Sequence, residues 1–211
     1  MAAISTDRCA LIVVDMQNGF CHPRGSFGNL GLDVTMTNAA IAGCRRLVDA
    51  AHDHGVPVIF TRYVYRADYA DGGVLVQDIL PALAEVKSLA AGSWDADLVD
   101  ELHPAESDFV IDKNRYSAFY GTGLEPILTS LKVDTLVICG VTTNMCVETT
   151  ARDASQRDYR VFVAGDACGE LDKDRHDMAL ATLGFGFGWV VDSDEAVSAW
   201  AGDAATPPAT P

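Results

Sequence analysis

The sequence predicts a three-layer α/β/α sandwich built on a six-stranded parallel sheet. Two observations predict it. Six short apolar runs, rich in β-branched residues, show no polar alternation, as strands buried on both faces require. Amphipathic helical patterns separate them, which calls for crossover connections of one hand.

The strand runs are Ala10–Asp15, Val56–Thr61, Phe109–Asp112, Thr135–Gly140, Tyr159–Ala164 and Gly188–Val191. The first helix spans Asn38–His54, with Ile41, Leu47, Val48 and Ala51 at helical spacing and Gly55 as its stop. Further helices cover Gly123–Leu131, where Pro126 sits in the first turn, Asn144–Arg157, Lys173–Leu183 and Asp194–Trp200. The stretch Arg62–Asp108 is long and irregular, with a short helix at Val74–Leu83 among pocket-covering loops. Residues 1–201 read as one domain, and the Ala-, Thr- and Pro-rich tail 202–211 as disordered. A chain of 211 residues buries a core without staples.

Composition excludes some partners. Thirty acidic against fifteen basic residues give a formal net charge of −15, which disfavours nucleic acid and anionic membranes. The N-terminal residues lack a signal-peptide pattern, and no run approaches a membrane span. A soluble, cytoplasmic protein is expected. The six cysteines, at 9, 21, 44, 139, 146 and 168, are widely and irregularly spaced, as free thiols in a reducing compartment would be.

Ligands of open parallel sheets bind beyond the carboxyl ends of the strands. Asp15 ends the first run, Lys113 follows the third, and Cys146 follows the fourth after a Gly-Val-Thr-Thr turn. Singly, each has a bland explanation as a cap, a surface charge or a core thiol. An acid, a base and a thiol at equivalent places point to a catalytic set. Cys146 falls in the first turn of a helix capped by Thr143 or Asn144, where unpaired N–H groups and a nearby ammonium would lower a thiol pKa. The same N–H groups suit an oxyanion. Cys21 is the weaker candidate, lying in a loop with no helix terminus behind it.

Three segments carry a family resemblance. Val13-Val-Asp-Met-Gln-Asn-Gly-Phe20 resembles the Asp-x-Gln opening of isochorismatase-like cysteine hydrolases. Ile111-Asp-Lys-Asn-Arg-Tyr-Ser-Ala-Phe119 resembles their lysine segment, and Cys139-Gly-Val-Thr-Thr-Asn-Met-Cys-Val147 their nucleophile turn. The resemblance runs from Arg8 to about Trp200, in the family's order. It implies strand order 3-2-1-4-5-6, Asp15 as general base, Lys113 as charge stabiliser and Cys146 as nucleophile. It also implies a cis peptide between Val141 and Thr142 that turns the Thr142 N–H toward the oxyanion. The family often forms dimers or tetramers, so a homo-oligomer is expected. The implied strand order leaves Lys113 on a strand not adjacent to the first.

The implied reaction is hydrolysis of a C–N bond in a small amide or ureide through a cysteine thioester. N-carbamoylsarcosine amidase, biuret hydrolase and ureidoacrylate hydrolase are the similar relatives. Thr61-Arg-Tyr-Val-Tyr-Arg66 holds neither Asp nor His where nicotinamidase-like members place a metal motif, so neither metal nor cofactor is expected. His52 and His54 read as surface residues. Vinyl ether hydrolysis and non-catalytic binding are the alternatives. A dinucleotide-binding fold would need a glycine-rich turn after the first strand, and Gly184-Phe-Gly-Phe-Gly188 precedes a strand instead. Phe20, Tyr63, Tyr116 and Phe119 are candidate pocket walls, and Arg62 and Arg115 candidate partners for a substrate carboxylate.

Overall fold

The computed structural model describes residues 4–202; residues 203–211 of the expected tail lie outside the described residues. Six strands form one sheet: β1 (Cys9–Val14), β2 (Val58–Tyr63), β3 (Phe109–Lys113), β4 (Thr135–Val141), β5 (Arg160–Gly169) and β6 (Trp189–Val191). All pairs are parallel, in the order β3-β2-β1-β4-β5-β6. Every residue of the central strands β1 and β4 is buried, which explains their unbroken apolar runs.

Helices cover both faces. The longest, α3 (Thr35–Asp53), follows two one-turn helices, α1 (Asn18–Cys21) and α2 (Ser26–Asn29). It buries Ile41, Cys44, Leu47, Val48 and Ala51, a stripe at helical spacing. It stops at Gly55, whose φ is +69°. There Gly55 N–H donates to His52 O (3.3 Å) and Val56 N–H to Ala51 O (2.8 Å), the Schellman arrangement. The later helices are α4 (Ala82–Glu85), α5 (Leu124–Ser130), α6 (Glu148–Ser155), α7 (Lys173–Gly186) and α8 (Ser193–Trp200).

Several boundaries depart from expectation. α3 begins three residues before Asn38, because the Asp33 side chain accepts the Thr35 N–H (2.9 Å) and opens the helix early. β5 runs five residues beyond Ala164, through Gly165 and Asp166, which resemble turn residues; its register with β4 shifts between Ile138 and Gly140. The helix expected at Val74–Leu83 is a π-turn (Leu75–Ile79) followed by α4, separated at Leu80-Pro81, since proline cannot continue a hydrogen-bonded turn. The helix expected from Asn144 opens as a π-turn over Thr143–Val147 before α6.

The strand order reverses between β1 and β4. Crevices at such a switch point, beyond the carboxyl ends, are where α/β sheets bind ligands. Asp15 and the β4 exit both lie there.

Candidate active site

Asp15 directly follows β1 with a left-handed backbone (φ +52°) and no solvent exposure. Its Oδ1 accepts the Thr61 hydroxyl at 2.7 Å and its Oδ2 the Lys113 ammonium at 2.6 Å. Its N–H donates to Thr61 O at 3.1 Å, so the end of β2 grips both backbone and side chain.

Lys113 ends β3, two strand spacings or roughly 9.5 Å from β1. Its side chain resolves the reach problem by crossing β2 above its register partner Tyr63, with Nζ 4.5 Å from the ring centroid. The three ammonium protons meet three acceptors: Asp15 Oδ2, Arg115 O at 3.1 Å and Cys146 Sγ at 3.4 Å. Burial works against the charge, yet the Asp15 carboxylate and the Cys146 sulfur outweigh it, and the Lys113 pKa lies above the ordinary 10.5.

Cys146 sits in the π-turn after β4. The peptide bond between Val141 and Thr142 is cis. The Met145 and Val147 N–H groups both donate to Thr142 O (3.1 and 3.2 Å), and the intervening Cys146 N–H does not join them. The structure corrects the expected thiol pKa. Burial dominates and pushes the thiol well above the ordinary 9.0; Lys113 pulls it down, and Asp15 adds to the rise. Cys21 is buried in α1, its pKa also well raised by burial, and it lies outside the cavity.

The turn is fixed from behind. The Thr143 hydroxyl donates to Gly169 O (3.0 Å) and lies 2.9 Å from His176 Nδ1. Glu170, just beyond β5, accepts the Asn144 N–H (3.0 Å) and the Leu171 N–H (2.9 Å). At Gly140 (φ +118°), a Cβ would stand 2.1 Å from Val14 O, so only glycine lets β4 pass so close to β1 at this point.

Gln17 gives the Asp-x-Gln pattern a positioning purpose. Its Oε1 accepts the Tyr63 N–H (2.6 Å), and its Nε2 donates to Tyr63 O (3.0 Å) and Ala96 O (2.8 Å). That grip holds Tyr63 beneath the ammonium. Sequence reasoning missed Gln17, Thr61, Glu170 and His176 as site residues. Thr61 and Glu170 carried one usable signal, a polar side chain at or just beyond a strand's carboxyl end.

A cavity of about 270 Å³ opens beside Cys146. Of the candidate pocket walls, Phe20, Tyr63 and Tyr116 line it. Phe119 does not: it packs on Tyr159 (ring centroids 6.0 Å) and beneath the Arg157 guanidinium (4.8 Å), because the chain turns away after Tyr116. Arg62 pairs with Asp112 through two bonds (2.7 and 3.0 Å), and Arg115 donates to Asp71 O and Asn114 O. Neither lines the cavity. His52 pairs with Asp108 at 2.9 Å on the surface. Among the described residues, no group of three or more His, Cys, Asp or Glu is arranged to hold a metal ion.

A family model, the isochorismatase domain, matches residues 9–195. The chain belongs to the isochorismatase family. Among family relatives, it is 39% identical over 194 residues to ureidoacrylate amidohydrolase RutB of Methylobacterium radiotolerans, covering 86% of this chain and 75% of that one. It is 33% identical over 208 residues to the enzyme of the same name from Acinetobacter baylyi, covering 92% and 84%. A cysteine hydrolase structure from Pseudomonas syringae pv. phaseolicola superposes with a TM-score of 0.87 at 32% identity, covering 94% of this chain and 95% of that one. N-carbamoylsarcosine amidase from Thermoplasma acidophilum gives 0.72 at 29%, covering 89% and 97%. The isochorismatase fold thus accounts for nearly the whole described chain.

Proposed function

We propose that this isochorismatase-family protein is a cysteine amidohydrolase that cleaves the C–N bond of a small amide or ureide through a thioester. The observation that carries the reading is the buried cluster in which one ammonium touches both Asp15 (2.6 Å) and Cys146 (3.4 Å). Similarity to proteins named ureidoacrylate amidohydrolase and N-carbamoylsarcosine amidase supports the same chemistry.

In this reading Asp15 takes the Cys146 proton, and the sulfur attacks the substrate carbonyl carbon. Lys113 offsets the negative charge left in the cluster. The Thr142 and Cys146 N–H groups receive the oxyanion. The protonated Asp15 returns its proton to the departing nitrogen, which leaves as ammonia or an amine. Water, deprotonated by Asp15, then attacks the thioester; the acid is released and Cys146 recovers its proton. The balance is amide plus water giving acid plus ammonia or amine.

We also propose a single hydrolase domain acting as a homo-oligomer in the cytoplasm. All six cysteines are free, which suits a reducing compartment. Exposed Met178 and Phe185 on α7 are apolar surface of the kind that subunit contacts cover. Among the described residues, no helix is long and apolar enough to cross a membrane.

The test is product release from a panel of carbamoyl amino acids, biuret, ureidoacrylate, maleamate and nicotinamide, with wild type and Cys146→Ala side by side. Release of ammonia by wild type alone supports the reading. Equal release by both removes Cys146 as the nucleophile.

A further inference from the structure

The cavity beside Cys146 is apolar to a degree that an amide headgroup alone does not require. Phe20, Phe27, Leu30, Leu83 and Leu89 form its wall. Leu32 and Leu80 stand at its mouth, 41% and 49% exposed. Tyr63, Tyr65, Tyr116 and Thr142 add hydroxyls to the lining, and Glu170 and Arg175 are its two charged side chains. Both Glu170 oxygens already accept backbone N–H groups. Arg175 is half-exposed and faces Asp172 at 3.8 Å. Arg62 and Arg115, the cations nearest the catalytic segments in sequence, are committed elsewhere.

We infer that the substrate carries an apolar aliphatic or aryl group attached to the scissile amide, and that this wall selects it. The inference rests on the amidohydrolase reading and names its substrate class. With the carbonyl at Cys146, a substituent entering the cavity meets phenylalanine and leucine side chains, and covering them removes apolar surface from water. A carboxylate carried on the same substituent would leave water for a wall of phenylalanine and leucine side chains, with the half-exposed Arg175 as the cation in the lining.

Three neutral amides, acetamide, butanamide and hexanamide, and adipamate, the hexanamide chain ending in a carboxylate, discriminate the possibilities. Ammonia release gives kcat/KM for wild type, and calorimetry gives Kd for Cys146→Ala. Both quantities are expected to improve about two- to fourfold per added methylene along the neutral series. Hexanamide should exceed adipamate at least tenfold. Leu80→Gln, on the exposed rim, should lower the hexanamide-to-acetamide ratio. Turnover with a flat or falling series overturns the apolar assignment and leaves the amidohydrolase reading standing. Graded binding without turnover keeps the apolar assignment and counts against the chemistry. Adipamate equal to or better than hexanamide, or no binding by any member, overturns the assignment.

Discussion

Lys113 and Asp15 lie 2.6 Å apart with both side chains shut off from water, on strands separated by a third. A buried pair of this kind costs heavily to assemble and more to break, because removing one partner strands the other's charge. The third strand sets the separation, and Thr61 and Tyr63 on it supply the hydrogen bond and the aromatic surface that make the contact possible.

Breaking the pair on one side should therefore hurt more than removing it. Lys113→Met is expected to lose about 3–5 kcal/mol in urea unfolding. The double variant Asp15→Asn/Lys113→Met should recover most of that loss while remaining inactive. A double variant no more stable than the single one would contradict the stranded-charge account.

The pair's titration predicts an alkaline limit. Lys113 and Cys146 both have folded pKa values above their ordinary values, so the folded state keeps protons that the unfolded chain releases. Their contribution is complete below the unfolded values and declines as pH rises through 9.0 for the thiol and 10.5 for the ammonium. Cys9, which burial pushes up to about 12, acts in the same sense. Stability should be level between about pH 7 and 8.5 and fall above 9. Cys146→Ala should make that fall shallower. Thermal unfolding across the pH range checks both.

Thr61→Val keeps the shape of the side chain and removes the hydroxyl that donates to Asp15 Oδ1. It should cost about 1–3 kcal/mol, since a buried carboxylate oxygen loses its donor. A drop in kcat of about tenfold, with less change in KM, is expected from an Asp15 no longer held in place. Chemical unfolding and steady-state kinetics measure the two effects. Unchanged kcat would remove Thr61 from the positioning of the base.

At Gly140, alanine meets both an unfavourable φ of +118° and Val14 O at 2.1 Å. The strained backbone alone costs on the order of 1–3 kcal/mol. The collision must also separate β1 from β4, the two strands that present Asp15 and Cys146. Gly140→Ala should thus lower the unfolding midpoint and the activity together. Circular dichroism and ammonia release would show it.

The sheet was legible because its strands are buried on both faces and read as unbroken apolar runs; β1 and β4 are the clearest cases. The far half of β5 was not, because Gly165 and Asp166 are turn-forming types whose place in a strand depends on a register shift with β4. Cys146, Lys113 and Asp15 were legible as chemistry at strand ends. Their state was not. A helix start suggested a lowered thiol pKa, and only the packed structure reveals that burial outweighs it. Phe119 was misread for a similar reason: it lies six residues from Lys113 in sequence, but the chain carries it to the Tyr159 side of the molecule. Gln17 was visible in the motif, yet its grip on Tyr63 depends on β2 lying beside β1.

The central claim is that Cys146 carries the acyl group during turnover. Acid-quenching the enzyme during turnover of a substrate identified by ammonia release, followed by peptide mass spectrometry, tests it most directly. The account predicts an acyl mass increment on the peptide containing Cys146, absent from Cys146→Ala. Sustained turnover by Cys146→Ala, or an increment confined to another cysteine, would contradict it.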